Sequence, residues 1–244
     1  MGQRADIALV ERGFFESRAK ARAAIEAGLV LANGSPLRKP AEILAPDARV
    51  EASAPHPWVS RGGLKLEAAL AAFGFDPAGE ICVDLGASTG GFTDVLLRRG
   101  AARVYAIDVG HGQLHASLRD DPRVVSMEGT DARALDATMF AEPPRLVVCD
   151  ASFISLRLVL PRPLSLAADR ARLVALVKPQ FEAGRARVNK GIVRDPAVHA
   201  EVCADIRGFV EGLGWSVVGL VDSPVAGGDG NREFLLGATR GGGA

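Results

Sequence analysis

The chain has 244 residues and a mass of 25.5 kDa, room for one large domain or a small one joined to a medium one. Hydrophobic residues at 48% and charged residues at 24% exclude a disordered chain, a collagen-like chain and a disulfide-stapled miniprotein. Lys plus Arg and Asp plus Glu both number 29, so a uniformly basic nucleic-acid coat is excluded and only a local basic patch is left open. The cysteines, Cys82, Cys149 and Cys203, are odd in number and each lies in an apolar run, as reduced buried thiols of a cytosolic protein do. No stretch approaches the ~18–20 apolar residues that span a bilayer. Charges interrupt the only apolar segment of MGQRADIALVERG, unlike a secretory signal, so a soluble cytoplasmic protein is expected.

Two textures meet near residue 55. A helical pattern covers Asp6–Arg12, and Ser17 suits the N-cap of a second helix, RAKARAAIEAG, that Gly28 ends in a left-handed conformation. LVLANGSPL reads as a strand entering an Asn33-Gly34 turn. Ala54-Pro55-His56-Pro57 reads as a linker, giving a small α+β domain over 1–54, a linker over 55–63 and a larger domain over 64–240. In that larger domain LKLEAALAAFGF is a helix, followed by apolar runs ICVDL, RVYAID, RLVVCD and RLVALV spaced for helices or loops. DPAVHAEVCADIRGFVEGLG is a further helix, and WSVVGLV and REFLLGA are late strands able to pair antiparallel. The alternation predicts an α/β, Rossmann-like fold with a mainly parallel sheet covered on both faces.

ICVDLGASTGGF sets a glycine-rich turn between a buried strand and the helix FTDVLLRRG. Gly86, Gly90 and Gly91 let backbone approach a ligand at the carboxyl edge of the sheet, and Asp108, ending the next strand, can accept the ribose hydroxyls of an adenosine. The spacing G-x-x-x-G-G is not that of a dinucleotide site. Asp84 before it would repel a pyrophosphate but suits the ammonium of S-adenosylmethionine (SAM). Asp131 has two readings, a contact to the adenine or its amino group, or a helix cap before ARAL.

Four more residues fall where the sheet edge faces that cofactor. Asp150 follows RLVVC, Lys178 follows RLVALV, Glu233 opens the last strand, and Lys65 lies in SRGGLKL. Two lysines and two carboxylates together suggest removal of a proton from a weakly acidic hydroxyl. No metal is assigned.

Lys65, Asp150, Lys178 and Glu233, with DLGASTGGF and LVKPQFEAG, resemble the FtsJ-like RNA 2′-O-ribose methyltransferases. Arg4-x-Asp6, Gly13, Ser17-Arg18, Ala21, Ile25, Gly28, Val30, Asn33-Gly34 and Lys39-Pro40 resemble an S4 RNA-binding domain. With VSRGG, CDASFISL and KGIVRDP, the whole is similar to the TlyA ("hemolysin A") family. That resemblance implies a class I SAM-dependent methyltransferase domain, a seven-stranded sheet with an antiparallel edge strand, and methylation of a cytidine 2′-hydroxyl in ribosomal RNA. Lys178 would be the base, Asp150 its orienting partner, and Lys65 and Glu233 the rest of a tetrad. Asp84, Gly86, Ser88, Thr89, Gly90, Gly91, Phe92 and Asp108 would line the SAM pocket. Ala5 stands where the S4 pattern has leucine, and Asp131 where the family commonly has Asn.

Between Arg12 and Lys39 there are six Lys or Arg against two acids, a patch suited to phosphates, although without the S4 resemblance a solvated helix face is the favoured reading. Arg4, Arg18, Arg22 and Lys39 are the candidate RNA contacts there. Arg185, Arg187, Lys190 and Arg194 form a second basic run, expected to overhang the cofactor cleft and grip RNA, so neutralising Arg185 and Arg187 should weaken that grip. The competing functions are a membrane-active hemolysin, a non-catalytic S4 RNA-binding protein and an NAD-dependent dehydrogenase. The absence of a spanning run opposes the first, the lysine–carboxylate set the second and the glycine spacing the third. Partners are expected to be ribosomal RNA or ribosomal subunits, not a membrane; the oligomeric state is left open.

Overall fold

The computed structural model describes residues 2–52, 56–227 and 230–242, in two compact units divided in the chain between Pro57 and Trp58. The first contains β1 (Gln3–Arg4), α1 (Ala5–Glu11), α2 (Arg18–Glu26), β2 (Val30–Ala32), β3 (Ser35–Pro36), β4 (Ile43–Leu44) and β5 (Val50–Ala52). Its strands form a β1–β4 ribbon and an antiparallel β3-β2-β5 sheet. Ser17 Oγ accepts the Lys20 N–H at the start of α2, and Gly28 leaves that helix at φ 72°. Asn33 and Gly34 both have positive φ, the twist a tight β2–β3 hairpin needs. The core gathers Leu9, Ile25, Val30 and Leu44, with Ala5 fully buried among them.

The second unit runs α3 (Gly62–Phe73), β6 (Ile81–Leu85), α4 (Gly91–Arg98), β7 (Arg103–Asp108), α5 (Ala116–Arg119), β8 (Val124–Glu128), β9 (Leu146–Cys149), α6 (Leu156–Val159), α7 (Pro161–Leu166), β10 (Ala171–Val177), α8 (Pro179–Glu182), α9 (Pro196–Gly212), β11 (Ser216–Asp222) and β12 (Phe234–Arg240). The sheet order is β11-β12-β10-β9-β6-β7-β8, parallel except for β12, which pairs antiparallel with both β10 and β11. This is the class I methyltransferase order. Because side chains alternate across a strand, β6 and β9 feed two cores. Val83 and Val147 pack with Leu160, Leu164 and Ile206 on one face, while Cys82 and Leu146 pack with Leu66, Leu70 and Leu96 on the other.

Strand order reverses between β6 and β9, so chains diverge from their carboxyl ends and leave a crevice there. The early part of the expected linker, Ala54 and Pro55, lies outside the described residues. From Trp58 onward it belongs to the second unit. The Val59 N–H donates to Asp94 at 2.9 Å, the Arg98 guanidinium lies over the Trp58 ring at 5.4 Å, and a Cβ on Gly63 would collide with that ring. These contacts start the domain before residue 64 and begin α3 at Gly62. Cys82 and Cys149 are buried, and exclusion of water pushes both thiols up to about 12, where they are unreactive. Among the described residues no helix is long and apolar enough to cross a membrane.

Candidate active site

The crevice is a cavity of about 500 Å³ lined by the glycine loop after β6, the start of α3, and the segments following β9 and β10. Lys65, Asp150, Lys178 and Glu233 all reach it. Lys65 lies in the first turn of α3, and its Nζ is 2.5 Å from Glu233 Oε2. Glu233 immediately precedes β12 instead of opening it, and its carbonyl accepts the Ser223 N–H. A Cβ on Gly227 would collide with the Glu233 carboxylate, so glycine is what lets that loop close on the ion pair.

Lys178 directly follows β10 at the N-cap of α8, and its Nζ donates to Ser152 Oγ at 2.7 Å and to the Asp150 carbonyl at 3.3 Å. Asp150 Oδ1 is 2.6 Å from the same nitrogen as an ion pair, off the hydrogen-bonding axis. One short segment therefore fixes this amine from three sides. Both lysines are almost fully buried.

The glycine loop divides its labour. Gly86 at φ 79° passes 3.0 Å, measured from where a Cβ would sit, from the backbone of Ala151, so it joins two strand ends closely. Gly91 is pressed by Ser60, and Ser88, Thr89 and Phe92 also line the cavity. Gly90 does not: a Cβ there would strike Leu118, which makes it the packing position beneath α5.

Each of the three acids expected at the cofactor has a partner within the protein. Asp84 is fully buried beneath the loop, one oxygen bound by Thr93 Oγ1 at 2.7 Å and the other without a hydrogen-bond partner. Burial, reinforced by the charges of Asp150 and Asp108, pushes its carboxyl up to about 7. Asp108 accepts the N–H groups of Ser88 and Gly110, each at 2.8 Å, and so shapes the loop. Asp131 caps a short 3-10 turn by accepting the Arg133 N–H, and pairs with that residue's guanidinium, which holds its carboxyl down at about 2. Of its two sequence readings, the cap is the one seen.

Sequence reasoning passed over Ser152, Phe153, Gln180, Phe181 and Asn231, which also line the cavity. Phe153 is the most exposed large apolar residue described, at 91%, and holds φ at +65°, a region a bulky side chain rarely adopts. Its ring lies 5.2 Å from that of Phe181. The strings CDASFISL and KPQFEAG contain both rings, but nothing in them signals exposure.

The residues fit a sulfonium cofactor carrying an ammonium. Asp84 offers an orphaned carboxylate oxygen, and the glycines leave backbone bare where a nucleoside needs close approach.

The basic candidates are mixed. Arg4 and Arg18 both clasp the buried Asp6 carboxylate, at 3.0 and 2.9 Å, so they are committed in part to their own unit. Arg22 and Lys39 are exposed. In the second run Arg187 pairs with Glu201 of α9 at 2.6 Å, an acid distant in sequence that the local charge count could not reveal. Arg185, Lys190 and Arg194 are exposed, and Gly191 between them lines the cavity.

The FtsJ-like methyltransferase family matches residues 58–240 and the S4 domain family residues 3–50. YqxC of Bacillus subtilis is 49% identical over 96% of this chain and 84% of its own. The 16S/23S rRNA (cytidine-2′-O)-methyltransferase TlyA of Mycobacterium tuberculosis is 47% identical over 96% of this chain and 88% of its own. A solved structure from Streptococcus thermophilus, bearing the name hemolysin, superposes with a TM-score of 0.78 at 44% identity, over 98% of this chain and 88% of that one. The fold, the cavity and these matches together make the chain a member of the TlyA family, a SAM-dependent methyltransferase of the FtsJ-like type preceded by an S4 domain.

Proposed function

We propose that the protein methylates the 2′-hydroxyl of a cytidine in ribosomal RNA, in the cytoplasm, with ribosomal RNA or a ribosomal subunit as partner. The observation that carries this reading is the meeting of two lysine–carboxylate pairs, Lys65–Glu233 and Lys178–Asp150, in one cavity beside the glycine loop. SAM supplies an electrophilic methyl group on a sulfonium. Lys178, in its neutral form, takes the proton of the ribose hydroxyl as the oxygen becomes a nucleophile. Asp150 and Ser152 hold the amine in line, which matters because orientation is a large part of the barrier to such a transfer. Lys65, kept in place by Glu233, sets a positive charge beside the developing oxyanion.

Phe153, lining the cavity yet exposed, offers a bare ring face to a nucleobase, and the exposed Arg185, Lys190 and Arg194 suit phosphates. Asp84, Gly86, Ser88, Thr89, Gly91, Phe92 and Asp108 are the cofactor residues in this reading. Arg4, Arg18, Arg22 and Lys39 are the contacts of the S4 domain. No feature of the described residues favours a membrane-active protein.

The test is transfer of labelled methyl from SAM to ribosomal subunits or naked ribosomal RNA, with wild type beside Lys178→Ala. The variant is expected to bind SAM as wild type does and to transfer nothing. Equal transfer by both removes Lys178 from the mechanism, and labelling at a base instead of a ribose overturns the reaction class.

A further inference from the structure

The basic segment after α8 is built as a rigid prong. Asn189 and Ile192 exchange both backbone hydrogen bonds at 3.0 Å, around a turn in which Lys190 and Gly191 hold φ at 48° and 80°. Positive φ at both central positions is the signature of a tight hairpin turn. Its N-terminal foot is tied down by Arg187, whose Nε donates to the Ala183 carbonyl at 2.9 Å while the guanidinium pairs with Glu201.

The C-terminal foot is held by Asn231, a residue of the loop before β12 that is 3% exposed. Its Nδ2 donates to the Gly191 carbonyl at 2.9 Å, and its Oδ1 accepts the Val193 N–H at 3.3 Å. One side-chain amide thus serves two backbone groups of the hairpin as a neighbouring strand would. On the other side the His199 Nε2 donates to the Val193 carbonyl at 3.0 Å. Two residues beyond Asn231 stands Glu233, which holds Lys65.

We propose that Asn231 is a positioning residue that fastens the cationic hairpin 189–192 to the segment bearing Glu233, so that gripping the RNA backbone and setting the Lys65–Glu233 pair are one coupled event. This rests on the reading of the site as an RNA ribose methyltransferase. A phosphate drawn to Lys190 pulls on Gly191, and the clasp passes that pull to Asn231 and on to the Glu233 backbone. A merely electrostatic hairpin would raise RNA affinity alone; a clasped one also changes the rate once RNA is bound.

The experiment is a double-mutant cycle between Asn231→Ala and the paired change Arg185→Ala with Lys190→Ala, in the full-length protein. SAM affinity, RNA affinity and the single-turnover rate at saturating RNA are measured for each. Asn231→Ala is expected to keep its SAM affinity and to lose about tenfold in rate at saturation, about the net worth of one hydrogen bond of the clasp transmitted to the site. The hairpin pair should weaken RNA binding in wild type and cost clearly less in the Asn231→Ala background, because coupled residues do not add. A wild-type rate for Asn231→Ala at saturation, or strictly independent losses, overturns the proposal. Hydrogen exchange without RNA gives a second readout: the Val193 amide should exchange faster in Asn231→Ala, and an unchanged amide also overturns the clasp. Should wild type transfer no methyl to RNA, the proposed function falls, and exchange still decides the clasp.

Discussion

Lys65 and Glu233 are 168 residues apart in the chain and meet at 2.5 Å inside the cavity, both almost wholly removed from water. Removing one partner of a buried pair strands the other charge, at a cost of about 3–5 kcal/mol. Glu233→Ala is therefore expected to lower the urea midpoint sharply, and Lys65→Met combined with Glu233→Leu much less. A double variant as unstable as Glu233→Ala in urea denaturation would show that the pair is more than a cancelled charge.

Asp84 makes stability depend on pH in an unusual direction. Its carboxyl is raised from 3.8 to about 7. Below 3.8 the group is protonated folded or unfolded; between 3.8 and about 7 only the unfolded chain releases the proton, so stability falls with rising pH by up to about 4 kcal/mol. Asp84→Asn should flatten that slope and unfold later than wild type above pH 7. A cationic cofactor arriving beside the group favours its charged form, so SAM binding below that pH should release a proton, read by calorimetry in buffers of differing ionisation heat. Parallel pH–stability curves for wild type and the Asp84→Asn variant would refute the assignment.

Phe153 combines full exposure with a strained backbone. Its ring contact with Phe181 leaves a face bare to water, and stacking on a base is worth about 1–3 kcal/mol. Phe153→Gly is expected to raise thermal stability slightly, because a positive φ costs a non-glycine residue about 1 kcal/mol. It should also raise the KM for RNA several-fold. An unaltered KM would leave the exposed ring without this role.

Asp6 links acid sensitivity to the small unit. Hydrogen bonds from Arg4 and Arg18 hold its carboxyl well below the usual range. The stabilisation is present above the ordinary value of 3.8 and is lost as pH falls beneath it. Arg18→Ala should therefore weaken this unit near neutral pH and much less in acid, which the pH dependence of thermal unfolding would test.

The hairpin cations should act through counterion release. Each phosphate contact contributes about 0.7 on a single strand and about 0.9 on a duplex to the slope of log affinity against log salt. Lys190→Ala is expected to reduce that slope by about one. Arg187→Ala should reduce it less, since its guanidinium already pairs with Glu201. Equal reductions in a salt titration of RNA binding would mean that this pair opens on binding.

Local signals carried far in this chain. Apolar runs place β6 and β7 at the predicted residues, Ser17 and Gly28 bound α2, and the glycine turn after ICVDL announces the loop of the cofactor crevice. These features depend on neighbours within a few positions, where periodicity, caps and positive φ act. The pairing of WSVVGLV with REFLLGA was legible for the same reason.

Long-range placement was not. That Asp108 spends an oxygen on the Ser88 N–H, that Gly90 serves packing, that Arg187 meets Glu201 and that Asn231 clasps the hairpin depend on which distant atoms lie within about 3 Å. Sequence fixes which side chains can donate, accept or carry charge. Only the folded chain decides which partners they find, because a hydrogen bond or ion pair is set by ångström distances that the closing of the sheet brings about, and residues far apart in sequence leave no local trace of it.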